Sequence, residues 1–80
     1  MRREQRTAQQ AGAALRRIRE ERGIRQTKLA ELAGITRPML CRYEKGCACP
    51  TLPNLAKVLR ALDCTADEFG RHLGPWGCLD

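Results

Sequence analysis

The feature that most constrains the fold is a pair of short apolar-patterned segments separated by a single glycine. Residues 26–33 place Leu29, Ala30 and Ala33 on one helical face, and Gly34 follows at once. Glycine tolerates the positive φ that redirects a chain in one step. Because the two alanines have little bulk, the next helix can cross closely. The sequence therefore predicts two short helices packed across a tight turn.

Similar start and stop signals divide the rest of the chain. Thr36 and Thr51 are good N-caps, and each is followed by a proline within the first helical turn, where the missing N–H costs nothing. Gly23 and Gly46 are natural helix ends. The apolar spacing predicts a first helix from about Ala8 to Arg22, capped by Thr7, followed by four shorter helices and no strand. The predicted fold class is all-α.

The last predicted helix begins at a capping box, in which the side chains of Thr65 and Glu68 each bond the other's backbone N–H. Phe69 and Leu73 are expected to face inward from this helix. Eighty residues are enough for one domain. We expect a flexible basic arm over residues 1–7, a folded domain over residues 8–73 and a flexible tail over residues 74–80.

The charge is strongly basic. Lys and Arg number 15 against 9 Asp and Glu, a formal net charge of +6. This balance favours a polyanionic partner, nucleic acid before a membrane surface, although a solvated basic surface without a partner is the alternative. The sequence has no apolar run that could span a membrane and no signal-peptide pattern at its start. We expect a cytoplasmic protein with no membrane partner.

Five cysteines, an odd number without a secretory signal, are interpreted as thiols. Cys64 is expected in the core and Cys41 on an exposed helix face. Cys47 and Cys49, with Cys78 and His72, are candidate zinc ligands, but C-x-C is tighter than the usual spacing, so no metal or cofactor is predicted. His72 is expected to interact with the last carbonyls of its helix. Because no catalytic grouping is visible, no enzyme is predicted.

Three stretches together resemble one known family. They are Arg19-Glu20-Glu21-Arg22-Gly23-Ile24-Arg25-Gln26, Leu29-Ala30-Glu31-Leu32-Ala33-Gly34-Ile35-Thr36, and Tyr43-Glu44-Lys45-Gly46 followed by Pro50-Thr51. The chain resembles the Cro and phage-repressor class of helix-turn-helix proteins, which includes bacterial regulators named for the xenobiotic response element. The resemblance implies a compact, five-helix, lambda-repressor-like domain. It also implies a transcriptional regulator, expected to be a repressor, that binds a two-fold symmetric operator in double-stranded DNA as a homodimer.

The resemblance also implies roles for individual residues. The residues expected to contact base edges in the major groove, from a helix over residues 37–45, are Arg37, Pro38, Met39 and Arg42. Each arginine can bond guanine O6 and N7, whereas the proline can offer only apolar contact. The residues expected to contact phosphates are Arg25, Gln26, Lys28 and Lys45. Gln26 is also expected to brace the first recognition residue.

Further implied roles are structural. Arg19 and Glu44 match a pair that meets across the domain, where an arginine can give a carboxylate two parallel bonds. The candidate dimer contacts are Phe69, Leu73 and Trp76. The chain departs from the family pattern at Arg25, where Ser or Thr is the usual N-cap. It departs again at residues 47–49, which replace a commonly basic loop.

Two other functions fit the same residues. One is a protein-interaction or antitoxin-like module on the same fold, and the other is a thiol- or metal-responsive regulator. The paired arginines of the third helix favour DNA binding, whereas the neutral loop over residues 47–49 slightly favours the alternatives. No separate ligand-binding domain is visible, so no small-molecule effector is expected.

Overall fold

Five α-helices make up the part of the chain that the computed structural model describes, residues 3–73 in backbone and 8–73 in side chains. They are α1 (Arg3–Glu21), α2 (Gln26–Ala33), α3 (Arg37–Lys45), α4 (Leu52–Ala61) and α5 (Ala66–Leu73). The described residues contain no strand, which confirms the all-α, five-helix prediction. Residues 1–2 and the expected tail over 74–80 lie outside the described residues.

The first helix begins earlier than the sequence predicted. It starts at Arg3, not after Thr7, so that residues 3–7 of the expected flexible arm are helical. The prediction relied on apolar periodicity, which this segment lacks. Arg, Glu and Gln nevertheless have high intrinsic helix propensity, and they extend a helix whose later turns are fixed by packing.

The predicted caps organise the middle of the chain. The Thr36 Oγ1 accepts a hydrogen bond from the Met39 N–H at 3.2 Å, and the Thr51 Oγ1 accepts one from the Asn54 N–H at 3.3 Å. Gly34, at the turn between α2 and α3, has φ of 73°. Its N–H and that of the next residue bond carbonyls of the last turn of α2. The bounds of α2 and α3 are therefore fixed by local sequence signals.

An aliphatic core lies between the helices. α1 packs against α3 and α5, and α2 packs against α3 and α4. The residues that are almost fully buried at its centre are Leu15, Ile18, Leu29, Leu40, Val58 and Leu62. Phe69 and Cys64 complete this core, and the burial of the Cys64 thiol raises its pKa. The core thus holds α3 between α1 and α2.

The crossing of α1 and α3 is unusually close at Gly12. A Cβ built on this glycine would lie 2.0 Å from the Tyr43 carbonyl oxygen and 2.9 Å from that of Glu44. Only a residue without a side chain fits there, because a backbone carbonyl cannot move aside as a flexible side chain can. Gly12 therefore sets how near α3 lies to α1.

The capping box of α5 forms only in part. The Glu68 N–H donates to the Thr65 Oγ1 at 3.1 Å, as predicted, but the Glu68 carboxylate turns to Arg22 instead. The Arg22 Nη2 lies 2.8 Å and 2.9 Å from its two oxygens, and the Arg22 Nε donates to the Leu62 carbonyl at 2.6 Å. These hydrogen bonds from Arg22 hold the pKa of Glu68 below its ordinary value. A tertiary ion pair that ties the end of α1 to α5 thus replaces half of the predicted local motif.

Candidate nucleic-acid interface

The outer face of α3 presents the four residues expected to read bases. Arg37, Pro38, Met39 and Arg42 are all exposed, with Met39 at 40%. Leu40, Tyr43 and Glu44 are the buried residues of the same helix. The apolar positions recur at helical spacing, so the first turn and one side of α3 project outward.

The inner face of α3 is anchored by more than apolar packing. The Asn54 Nδ2 of α4 donates a hydrogen bond to the Tyr43 hydroxyl at 3.0 Å. Tyr43 is 5% exposed, so this bond satisfies the polar end of an otherwise buried ring. This bond was not predicted from the sequence, because no local pattern links residues eleven positions apart.

The structure brings Arg19 and Glu44 together. The Arg19 Nε lies 2.7 Å from one Glu44 carboxylate oxygen and its Nη2 lies 3.1 Å from the other. The Arg19 Nη1 donates to the Ile24 carbonyl at 2.8 Å. The Glu44 side chain is 2% exposed and that of Arg19 is 12% exposed. A shielded, two-pronged pair therefore joins α1, the α1–α2 turn and the end of α3.

Gln26 belongs to the same cluster. Its Nε2 donates to a Glu44 carboxylate oxygen at 2.9 Å. The structure thus brings Gln26 to Glu44 rather than to Arg37, the first recognition residue it was expected to brace. An amide nitrogen carries two hydrogens, so one donor of Gln26 remains for a second acceptor. Glu44 consequently fixes the first residue of α2 relative to the last turn of α3.

Exposed cations flank α3. Arg25, Lys28 and Lys45 are exposed, and in the side chains described, residues 8–73, none of them forms an ion pair with an acidic group. Arg25 is the N-cap residue of α2 in an extended conformation, and its side chain makes no capping bond. The start of α2 therefore lacks a side-chain cap.

Two shallow depressions border α3, one on each side. A polar depression of about 300 Å³ lies by the start of α2, lined by Arg16, Arg19, Gln26, Cys41, Glu44 and Lys45. The other, of about 310 Å³, is lined by Thr36, Pro38, Met39, Arg42, Tyr43, Ala48 and Cys49. The loop over residues 47–49 therefore forms one edge of the surface expected to read bases. Cys41, predicted on the exposed face, is half-buried.

The three candidate dimer contacts have different positions. Phe69 is 7% exposed and belongs to the core of its own chain, so it offers little surface to a second copy. Leu73 is partly buried against that core. Trp76 lies outside the described residues. His72, expected near the last carbonyls, has its Nδ1 2.9 Å from the Glu68 carbonyl oxygen and its Nε2 3.3 Å from a Glu21 carboxylate oxygen.

Among the described residues, no helix combines the length and apolar character needed to cross a bilayer.

Sequence comparison gives two matches. A family model described as helix-turn-helix matches residues 15–69, which cover α2 to α4 completely. An uncharacterized HTH-type transcriptional regulator from Haemophilus influenzae is 43% identical over 44 residues. That alignment covers 55% of this chain and 45% of the relative, so the chain spans less than half of the relative's length.

Two solved structures share the architecture over nearly their whole length. The clp gene regulator ClgR from C. glutamicum superposes with a TM-score of 0.83 at 26% identity, covering 92% of this chain and 96% of that one. The restriction-modification controller protein C.AhdI from Aeromonas hydrophila superposes with a TM-score of 0.74 at 32% identity, covering 78% and 94% respectively.

Proposed function

Because this chain belongs to the Cro/C1-type helix-turn-helix family of transcriptional regulators, we propose that it binds one specific double-stranded DNA sequence and represses transcription there. In this proposal α3 enters the major groove, and its outer residues contact base edges. The homologues are regulators and controllers, not enzymes, and a DNA-binding role is what this chain's surface supports best.

The observation that carries the proposal is the outward projection of Arg37 and Arg42 from a helix held rigidly behind them. A helix with its side chains is about 10–12 Å across, which matches the width of the major groove. Each guanidinium can donate two parallel bonds to guanine O6 and N7. Pro38 and Met39, which lie between them in sequence, suit apolar contact with a thymine methyl.

The exposed cations supply the part of the affinity that does not depend on sequence. Arg25, Lys28 and Lys45 are exposed around α3 and have no acidic partner among residues 8–73, so they are available to phosphates. The remaining amide donor of Gln26, at the start of α2, adds a polar contact. Such contacts fix the register of the helix on the duplex but carry no base information.

We further propose that two copies bind together. One small domain buries limited DNA surface, whereas specific complexes typically need more than a single module provides. Two copies related by a two-fold axis would place their α3 helices in successive major grooves, about 34–36 Å apart. A dimer covering that length would repress by occupying the site that the transcription machinery needs.

The experiment that tests this function is selection of binding sites from random duplexes by the purified protein. We expect enrichment of an inverted repeat that contains guanine in each half-site, with half-site centres about one helical turn apart. Absence of any enriched sequence would overturn the proposal.

A salt titration of the selected duplex distinguishes the alternative, a protein-interaction module on the same fold. For a DNA-binding protein, the logarithm of the affinity falls with the logarithm of salt concentration by about 0.9 for each phosphate contacted. A weak dependence on salt, together with no preference for the selected duplex over a scrambled one, would favour the protein-interaction module.

A further inference from the structure

The loop between α3 and α4 displays two thiols. Cys47 and Cys49 are both exposed, while Ala48 between them packs against the core. Because Cys47 and Cys49 are two residues apart in sequence, their Cα atoms are at most about 7 Å apart. Two exposed thiols therefore lie on the same short loop.

A third sulfur lies on the same surface. Met39, 40% exposed, lines the depression of about 310 Å³ that Cys49 also lines. A thioether is a neutral, soft donor, and a thiolate is a charged, soft donor. Cys47 is the other exposed thiol of the same loop, two residues from Cys49. Two thiols and one thioether therefore lie within one short loop and the depression beside it.

The composition of this cluster selects the kind of metal. Among the described residues, no group of three or more His, Cys, Asp or Glu is placed to hold a metal ion, which argues against a tetrahedral zinc site of the usual ligands. Thiolate and thioether ligands instead favour Cu(I). We propose that Cys47, Cys49 and Met39 form a binding site for a soft monovalent metal ion of the Cu(I) class, and that its occupation opposes DNA binding.

Binding changes the charge of the loop. One M⁺ ion and two thiols give an M(SR)₂⁻ unit and two released protons, with no oxidation or reduction. The neutral loop thereby becomes anionic beside Arg42, on the face proposed to read bases, and it would repel the approaching duplex. Met39 would also be held by the metal instead of facing a base. This regulatory half of the inference rests on the proposed function, whereas the metal site itself does not.

The metal site is tested without DNA. Reduced protein is titrated with Ag(I), a redox-stable stand-in for Cu(I), and the thiolate-to-metal absorbance in the ultraviolet is followed. A Cys41→Ser/Cys78→Ser background leaves the buried Cys64 as the only thiol besides Cys47 and Cys49, and it should still bind one equivalent. In that background Cys47→Ser/Cys49→Ser should abolish the signal, and Met39→Leu should weaken the affinity by about tenfold.

Each of these measurements has a result that would contradict the proposed site. Retained Ag(I) binding in Cys47→Ser/Cys49→Ser, or loss of binding in the Cys41→Ser/Cys78→Ser background, would overturn the site. Unchanged affinity in Met39→Leu would overturn the role of the thioether. Because Cys47, Cys49 and Met39 are exposed, circular dichroism should show that their substitution leaves the fold of the background protein unaltered.

Regulation is tested separately with Cu(I), added without oxygen to the protein on its selected duplex. We expect the wild-type protein to lose affinity for the duplex and Cys47→Ser/Cys49→Ser to keep it. A protein that binds Ag(I) but no duplex would refute the proposed function and leave the site standing. If the protein binds both Ag(I) and the duplex, but its affinity for the duplex does not change when Cu(I) is added, the proposed regulation is refuted.

Discussion

Arg19 on α1 holds the carboxylate of Glu44 on α3 with two hydrogen bonds, from Nε at 2.7 Å and from Nη2 at 3.1 Å. Glu44 also accepts from the Gln26 side chain at 2.9 Å. One buried carboxylate thus joins the elements that carry the proposed phosphate contacts to the helix proposed to read bases. The Arg19–Glu44 pair is therefore connected through hydrogen bonds to the surface proposed to bind DNA.

Replacing Glu44 should remove much of the protein's free energy of unfolding. Glu44→Ala leaves the Arg19 guanidinium largely shielded and without its counter-charge, which typically costs about 3–5 kcal/mol. The matched control is Glu20→Ala, since Glu20 forms an exposed pair with Arg16 at 3.3 Å, and such pairs contribute about 0–1 kcal/mol. Urea unfolding measures both variants, and equal losses would refute a special role for Glu44.

The close crossing at Gly12 predicts a second stability effect. Gly12→Ala would place a methyl group 2.0 Å from the Tyr43 carbonyl oxygen, so α1 and α3 must separate. Overpacking of this kind typically costs about 1–3 kcal/mol or more, and the rigid backbone partner places the expected loss at the upper end. Thermal unfolding gives the measurement.

Gly70→Ala is the control for Gly12. Gly70 also lies within a helix, but a Cβ added there meets nothing within 4 Å. Alanine should therefore stabilise the protein by about 0.4–1 kcal/mol through its better helix propensity and smaller unfolded-state entropy. If both variants were destabilised to the same extent, the loss would come from replacing any helical glycine and not from the close crossing at Gly12.

The bounds of α2 and α3 followed from the sequence because their determinants are local. Thr36 and Gly34 act on backbone groups within a few residues, so capping and glycine conformation can be recognised along the chain. The resemblance to a known family added the Arg19–Glu44 pairing, which no local pattern contains. The start of α1 was missed because residues 3–7 lack the apolar periodicity on which the prediction relied.

Features that depend on two distant segments could not be predicted from the sequence. Glu68 was assigned to a capping box because its local spacing fits one, but Arg22, 46 positions away, provides stronger charged donors. Nothing in the sequence around Gly12 indicates that a carbonyl of α3 lies against it. Phe69 was correctly expected to face inward, and this burial limits the dimer contact that was also assigned to it.

The Arg22–Glu68 pair predicts a pH dependence of stability. Hydrogen bonds from Arg22 keep the pKa of Glu68 below its ordinary value of 4.5 in the folded protein. As the pH falls, Glu68 of the unfolded chain therefore binds a proton before Glu68 of the folded protein does. The stabilisation by the pair is full above the unfolded pKa and is lost as the pH falls through the lower folded pKa. The difference in melting temperature between wild type and Glu68→Gln should be constant near neutrality and shrink below about pH 4.5. A difference that grows with acidity would contradict this assignment.

Removing the exposed arginines of α3 should reduce specific affinity. Each of Arg37→Ala and Arg42→Ala should weaken binding to the selected duplex by about 1–3 kcal/mol and relax base preference in its part of the half-site. Fluorescence anisotropy measures the affinity, and repeated site selection measures the preference.

The control for these arginines is Lys57→Ala/Arg60→Ala. Both residues are exposed cations of α4 and line a groove with Leu32 on another face. This double variant lowers the net charge by the same amount as Arg37→Ala/Arg42→Ala and should change affinity much less. Equal effects on affinity, with base preference retained in both, would indicate that net charge alone attracts DNA.

Arg25 permits stability and DNA binding to be separated at one position. It is the N-cap of α2 with φ −78° and ψ 156°, the extended geometry that a capping serine adopts, yet it makes no side-chain cap. In Arg25→Ser the hydroxyl can accept from the Lys28 N–H and should stabilise the protein by about 1 kcal/mol. Loss of the cation should at the same time reduce the salt dependence of DNA binding by about 0.9, the value of one phosphate contact.

Arg25→Ala separates the two effects, because alanine removes the cation and supplies no cap. It should show the same reduced salt dependence as Arg25→Ser without the gain in unfolding free energy. Since a cap acts on the folded monomer and a phosphate contact acts only on the complex, the two measurements are independent. A serine variant that is no more stable than the alanine variant would show that the start of α2 gains nothing from a hydroxyl. Unchanged salt dependence in both variants would remove Arg25 from the proposed phosphate contacts.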